Sequence, residues 1–191
     1  MAFDPLNNFE TYRITKGQYI PKEGGTAIAI PCIGKLTAEP DVSEITKKCE
    51  GVVSDSVPKI NFLTVTISGH FALKHLRELF GLSIEGLKTG VYKLNKVVKS
   101  KAGTYTFEVW NMHETEKMLI AFPNMTYIGG FALNIENGVE EIAEVELEFK
   151  AMVDTEGNFY YEGLESDITD SQVKTDWGTK FTPTLIKSPG I

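Results

Sequence analysis

Cysteine is nearly missing from this 191-residue chain, which holds only Cys32 and Cys49. Two cysteines build neither a disulfide framework nor a structural zinc site, so buried free thiols are expected. Histidine is almost as scarce, with His70, His75 and His113 alone. His70 and His75 stand five apart, a spacing that does not place two ligands on one helical face, and they read as core or surface residues. No Ser or Cys occupies a nucleophile-elbow context. Positive charge is also short: 19 Lys and Arg face 26 Asp and Glu, for a net charge of −7 and a pI near 5.1. That balance argues against gripping nucleic acid by charge neutralisation, yet leaves room for a negative wall past which nucleic acid slides. No run of about 18 apolar residues is present to span a bilayer, and MAFDPLNNFETYR lacks a basic region followed by an apolar stretch. Action in the cytosol, or in something assembled there, is the expectation.

Other apparent motifs dissolve on inspection. Asp154-Thr155-Glu156-Gly157-Asn158 lacks the remaining ligand positions of a twelve-residue calcium loop and has the composition of a tight turn. Gly129-Gly130 is not followed by a helix start, so it suggests a bulge or a close backbone approach rather than a phosphate cradle. No catalytic residue, metal ligand or cofactor site is assigned, and the chain is not read as an enzyme.

What the chain does have is period-two patterning. In IAEVELEFKAMVD, Ile142 to Asp154, the residues Ala143, Val145, Leu147, Phe149, Ala151 and Val153 alternate with Glu144, Glu146, Glu148 and Lys150. This is a long strand with one buried and one charged face. Further β-type runs are Ala27 to Leu36, Val42 to Cys49, Ile60 to Gly69, Gly90 to Val98, Gly103 to Met112 and Thr115 to Phe122. Turn signals separate them at Glu39-Pro40-Asp41, Val57-Pro58-Lys59 and Lys101-Ala102-Gly103. One segment, FALKHLRELFGL, places Phe71, Leu73, Leu76, Leu79 and Phe80 at helical spacing ahead of Gly81.

The expected fold is mainly β, an antiparallel sandwich or barrel-like domain over residues 26–165 with one short flanking α-helix. An extended N-terminal arm over 1–25 precedes it, and a polar C-terminal extension over 166–191 follows. The tail is too polar for a core of its own, so it is either frayed or laid against a neighbouring surface, with Trp177, Phe181, Leu185 and Ile186 as candidate anchors.

Register between NMTYIGGFALNIEN and the acidic strand is testable. A two-residue Asn137-Gly138 turn sets apolar residues against charged ones. A loop with an odd number of residues pairs Leu133 with Ala143, Phe131 with Val145, Gly129 with Leu147 and Tyr127 with Phe149. The opposite face then carries Thr126, Ile128, Gly130, Ala132 and Asn134 across from Lys150, Glu148, Glu146, Glu144 and Ile142. Its plain alternative is an ordinary solvated sheet face.

Taken in order, GKLTAEP, VSEITKKCEGVV, INFLTVTISGHF running into FALKHLRELFG, and FALNIENGVEEIAEVELEFKAMVDTEGNFYYEG resemble major tail (tail tube) proteins of long-tailed, siphovirus-type bacteriophages. The resemblance covers about Ile33 to Gly163. It implies a virion subunit, assembled in the host cytoplasm, that forms hexameric rings stacked into a hollow tube conducting DNA during ejection. Implied partners are further copies of the chain, the tape measure protein and DNA in the lumen without specific binding, and tail terminator and tail-tip proteins. Arms and loops of such proteins reach to adjacent rings, which makes Trp177, Phe181, Leu185 and Ile186 candidate inter-ring anchors. On this reading Glu144, Glu146, Glu148, Lys150, Thr126 and Asn134 line the lumen, with the Thr64, Thr66 and Ser68 face as an alternative lining. Competing readings are a stand-alone β-sandwich binding module and the inner tube of a contractile injection machine.

Overall fold

Burial alternates along residues 64–70 and 145–151, and the strands there follow that alternation. The computed structural model describes residues 9–96, 101–131 and 144–188. Within them the order is β1 (Thr11–Pro21), β2 (Ile28–Ile30), β3 (Cys32–Cys49), β4 (Val52–His70), α1 (Leu73–Leu79), β5 (Ala102–Asn111), β6 (Lys117–Tyr127), β7 (Val145–Ala151), β8 (Tyr161–Leu164) and α2 (Ser171–Lys180). The protein is mainly antiparallel β, as the patterning predicts, with two short helices where one was expected.

One sheet runs β2-β1-β5-β6-β7-β4-β3, with β8 added to β6. Strand β6 is where it divides. The first part of β6, Met118 to Ala121, pairs with β8, and the last part, Met125 to Tyr127, pairs with β7. Pro123 falls between the two partners, where the β5–β6 ladder also shifts register, so its missing N–H interrupts no continuous ladder. The two wings fold face to face around one core that draws Tyr19, Tyr105 and Phe107 from one and Val65, Ile67, Leu147 and Phe149 from the other. Phe149 is wholly buried, its ring 4.9 Å from Tyr105 and 5.5 Å from Tyr127. Burial of a side chain this size stabilises by about 2–3 kcal/mol.

Helix α1 plugs one end of this core with Leu79 and Phe80, while Leu73, expected on the apolar face, is exposed. Its His75 is completely buried, stacked on Tyr19 at 4.7 Å, with Nε2 3.1 Å from the Tyr105 hydroxyl.

Several expectations give way. Residues 11–21 of the expected arm form β1, pairing with β5 and burying Tyr19. A bulge between Thr15 and Gln18, with Lys16 left-handed at φ 48°, breaks the alternation that would have announced the strand. Pro40 and Pro58 do not mark turns. They lie inside β3 and β4, which pair from Cys32 opposite His70 to Cys49 opposite Val52. A strand with one open edge tolerates a residue that cannot donate. Residues 90–96 of the expected Gly90 to Val98 strand contribute only an isolated bridge between Ser83 and Lys93. Both cysteines are exposed rather than buried, Cys32 at the start of an edge strand and Cys49 beside the hairpin turn.

A second helix, α2, stands in the expected polar extension. Asp170 caps it by accepting from the backbone N–H groups of Gln172 and Val173 at 2.7 and 3.4 Å. Asp170→Ala is expected to cost about 1 kcal/mol, measurable as a lower urea midpoint at unchanged m-value.

Candidate functional site

The period-two strand does what its alternation dictates. In β7, Leu147, Phe149 and Ala151 are buried, while Glu146 and Glu148 are exposed and Lys150 is half-buried. On one side Thr126 pairs with Lys150 and Tyr127 with Phe149, the register derived from face matching. The pairing stops there. Ile128 N–H still donates to the Glu148 carbonyl at 3.1 Å, but Gly129 and Phe131 leave the ladder, and Phe131 packs edge-on against Phe80. The expected Gly129–Leu147 and Phe131–Val145 pairs do not form, while along its other edge β7 pairs with β4, which sets Ile67 against Leu147 and Gly69 against Val145. At Gly129 the chain passes so close over the Tyr127 ring that a Cβ would collide with it, and the Tyr127 hydroxyl donates to the Gly130 carbonyl at 2.9 Å. This is the close backbone approach suggested by the glycine pair.

Strand β4 also changes the site. Thr64 pairs with Lys150, Thr66 with Glu148 and Ser68 with Glu146, so the two alternative linings are adjacent columns of one face. Strand β3 extends it with Glu39 beside Thr64, Thr37 beside Thr66 and Lys35 beside Ser68. The rows therefore read Lys35–Ser68–Glu146, Thr37–Thr66–Glu148 and Glu39–Thr64–Lys150–Thr126. A central column of hydroxyls is flanked by charges of both signs. Lys150 is held in place by the Phe62 ring, with its Nζ 4.2 Å from the centroid. A shallow depression of about 220 Å³ lies among Lys35, Thr37, Thr66, Ser68 and Glu146.

Glu144 precedes the strand, and its carboxylate lies over Gly34, where any Cβ would collide with it. Asn134, the remaining expected lumen residue, lies outside the described residues, as do Leu133 and Ala143.

The opposite outer face of the molecule is covered. Val173, Trp177 and Phe181 of α2 and the residue that follows it pack on Leu119 and Ala121, which point away from the main core. The Trp177 indole N–H donates to the Ile120 carbonyl at 3.1 Å, and the Trp177 and Phe181 rings meet at 4.8 Å. Leu185 and Ile186 pack partly buried on the same cluster. All four expected inter-ring anchors are thus engaged by the chain's own sheet. Their signal was legible as a capping Asp170 followed by apolar residues at 173, 177 and 181.

The Asp154 segment forms a turn. Asp154 Oδ1 accepts from the N–H groups of Glu156 and Asn158 at 2.8 and 3.0 Å, and Oδ2 accepts from the Tyr161 hydroxyl at 2.7 Å. Burial works against the charge, but the Tyr161 hydroxyl and the backbone donors outweigh it and hold the carboxyl below its ordinary range. Among the described residues no group of three or more His, Cys, Asp or Glu is placed to hold a metal ion.

No protein-family model matches the chain, and no curated protein matches it significantly. Among solved structures it is similar to the anti-feeding prophage cap (AFP tube terminating cap) determined by cryo-EM. Identity is 11%, the match covers 85% of this chain and 94% of that one, and the TM-score is 0.46. A likeness this distant carries no functional weight. The site must be argued from its own chemistry: a broad polar sheet face, left bare on a protein that covers its other outer face with a helix.

Proposed function

We propose that this chain is the structural subunit of a phage-type tail tube, joining edge to edge into hexameric rings that stack around a DNA-conducting lumen. The observation that carries the reading is the asymmetry of the two outer faces: α2 seals one, and the Thr, Ser, Glu and Lys face of β3, β4, β7 and β6 is open. The bare face lines the lumen. Hydroxyls there carry no charge to hold phosphate, and Glu146 and Glu148 repel it over about a Debye length, roughly 8–10 Å in ordinary salt. Lys35 and Lys150 stand beside these acids, so the wall is mixed rather than uniformly negative, and DNA meets no basic groove.

Ring closure also accounts for the sheet edge. The outer side of β3 pairs with no strand among the described residues, and an edge that long is an aggregation template unless another copy covers it. Head-to-tail joining around a rotation axis covers every such edge at once. The tape measure protein and DNA then occupy the lumen, the tail terminator and tail-tip proteins meet the tube's two ends, and the virion tail is where the assembly resides.

Negative-stain microscopy of the purified chain tests the reading. Rings or tubes are expected, and a persistent monomer at high concentration overturns it in favour of a binding module. Orientation is tested separately with Glu148→Cys in a Cys32→Ser/Cys49→Ser background. A bulky polymer-linked maleimide is expected to label the free subunit and not the assembled tube, while a small maleimide labels both. Labelling of tubes by the bulky reagent places the face outside, and protection from both reagents places it between subunits.

A further inference from the structure

Helix α2 does not lie flush on the sheet that it covers. Beside the apolar cluster that seats Trp177, a cavity of about 290 Å³ lies between the helix and the outer face of β1, β5 and β6. Strand register dictates its floor. Tyr19, Tyr105 and Phe107 face the core, so Gln18, Thr106 and Glu108 face outward, with Thr106 beside Gln18 and Glu108 beside Leu119. Gly178 of α2 forms part of the roof. A Cβ there would meet only Gln18 Cγ, at 3.9 Å, so the fold has room for a side chain at this point and the glycine widens the cavity.

Two atoms at this cavity lack what burial demands. Thr106 is 1% exposed and its Oγ1 has no hydrogen-bond partner, and the buried Oε2 of Glu108 has none either. An unpaired buried polar atom costs about 1–3 kcal/mol, so a molecule bringing hydroxyl groups to both is favoured there. The other Glu108 oxygen is occupied, since Oε1 meets Lys16 Nζ at 3.1 Å and Lys117 Nζ at 3.4 Å. Lys117 also reaches Glu165 at 2.9 Å. Burial opposes its charge, but the two carboxylates outweigh that and keep the ammonium protonated. Lys174 lines the cavity from α2, is exposed, and makes no ion pair among the described residues. Three ammoniums therefore face two carboxylates, and the excess charge is positive.

We propose that this cavity binds a small polyhydroxylated anion, a sugar acid or sugar phosphate, whose hydroxyls bond Thr106 Oγ1 and Glu108 Oε2 while its acid group meets Lys174. The volume is at the small end for small-molecule sites and suits a single sugar unit. A neutral sugar leaves Lys174 unmatched, and inorganic phosphate sets charge against Glu108 without a set of hydroxyl donors. A ligand held here ties α2 to β1 and β5, and by binding only the folded chain it raises stability. The cavity shares no residue with the bare Thr, Ser, Glu and Lys face, so the site stands whether or not the subunit builds tubes.

Thermal melts of the full chain at constant ionic strength test the site, with glucuronate, α-glucosyl phosphate, glucose and inorganic phosphate as separate millimolar additions. At least one of the two anionic sugars is expected to raise the midpoint in a saturable way, and which one does so identifies the acid group. Glucose and phosphate are expected to give smaller shifts. Thr106→Val is expected to weaken binding about fivefold, the worth of one hydrogen bond, whereas Thr106→Ser keeps it. Lys174→Gln is expected to erase the preference for the anionic sugar over glucose. No saturable shift with either anionic sugar, an equal shift with phosphate alone, or undiminished binding by Thr106→Val overturns the proposal, and each of these leaves the tube reading untouched.

Discussion

Trp177→Ala is expected to lower the unfolding free energy by about 3–5 kcal/mol, measured by urea denaturation of the dispersed subunit. Three losses combine. The indole is 5% exposed, so its removal leaves a cavity between α2 and β6. Its N–H is the group that pairs with the Ile120 carbonyl. Phe181, whose ring leans on the indole, loses its neighbour and with it the hold of residues 182–188 on the sheet. The same experiment separates two roles for the C-terminal segment. A side chain whose work is to bridge rings leaves subunit stability alone and weakens assembly. One that seals its own sheet lowers subunit stability first, and that is the result the geometry predicts.

Acid is expected to weaken the fold through His75. Burial lowers its pKa from 6.5 to about 4, since a charged ring enclosed by Tyr19, Phe71 and Tyr105 would lose its water. The folded state therefore holds the neutral ring while the unfolded state takes a proton. Above pH 6.5 neither state is protonated there and the full stability is present. As pH falls through 6.5 the unfolded chain gains a proton the folded chain refuses, and stability declines by about 2 kcal/mol at pH 5 and about 3 kcal/mol at pH 4. Denaturation midpoints from pH 7.5 to 5 check the slope, and His75→Phe, which keeps a ring on Tyr19, is expected to flatten it. A ring that titrates near 6.5 by NMR in the folded protein would remove the basis of the prediction.

The parts of this fold that were legible in the sequence are those decided by local alternation. Leu147, Phe149 and Ala151 had to share a face, and matching that face to Met125 and Tyr127 gave the observed register. Which strand lies on the far side of β7 is not a local property. Thr64, Thr66 and Ser68 showed their own period but not their neighbour, so a single surface was read as two rival ones. Strand β1 escaped because its bulge at Thr15 to Gln18 scrambles the alternation, and α2 escaped because the polar residues between 173, 177 and 181 lower the average hydrophobicity of a helix whose apolar edge is narrow. Prolines misled for a physical reason. Pro40 lies in β3 at the sheet's edge and Pro58 in β4 beyond the reach of β7, so each stands on a strand with one open edge, where a missing N–H need not end the pairing.

The order in which this sheet is threaded sets how fast it is made. Strands β1 and β2, β3 and β4, and β5 and β6 are joined by short connections, whereas Thr15 must find Glu108, and Thr64 must find Lys150, across nearly half of the chain. Such separations give a high contact order and folding on the scale of milliseconds to seconds. The β3–β4 hairpin, closed by the Glu50-Gly51 turn, can pair without any of those distant partners. During synthesis each nascent chain therefore displays the exposed Val52 and Val53 of the hairpin tip before the rest of the subunit exists, and slower production at lower temperature is expected to raise the soluble yield by spacing those tips apart.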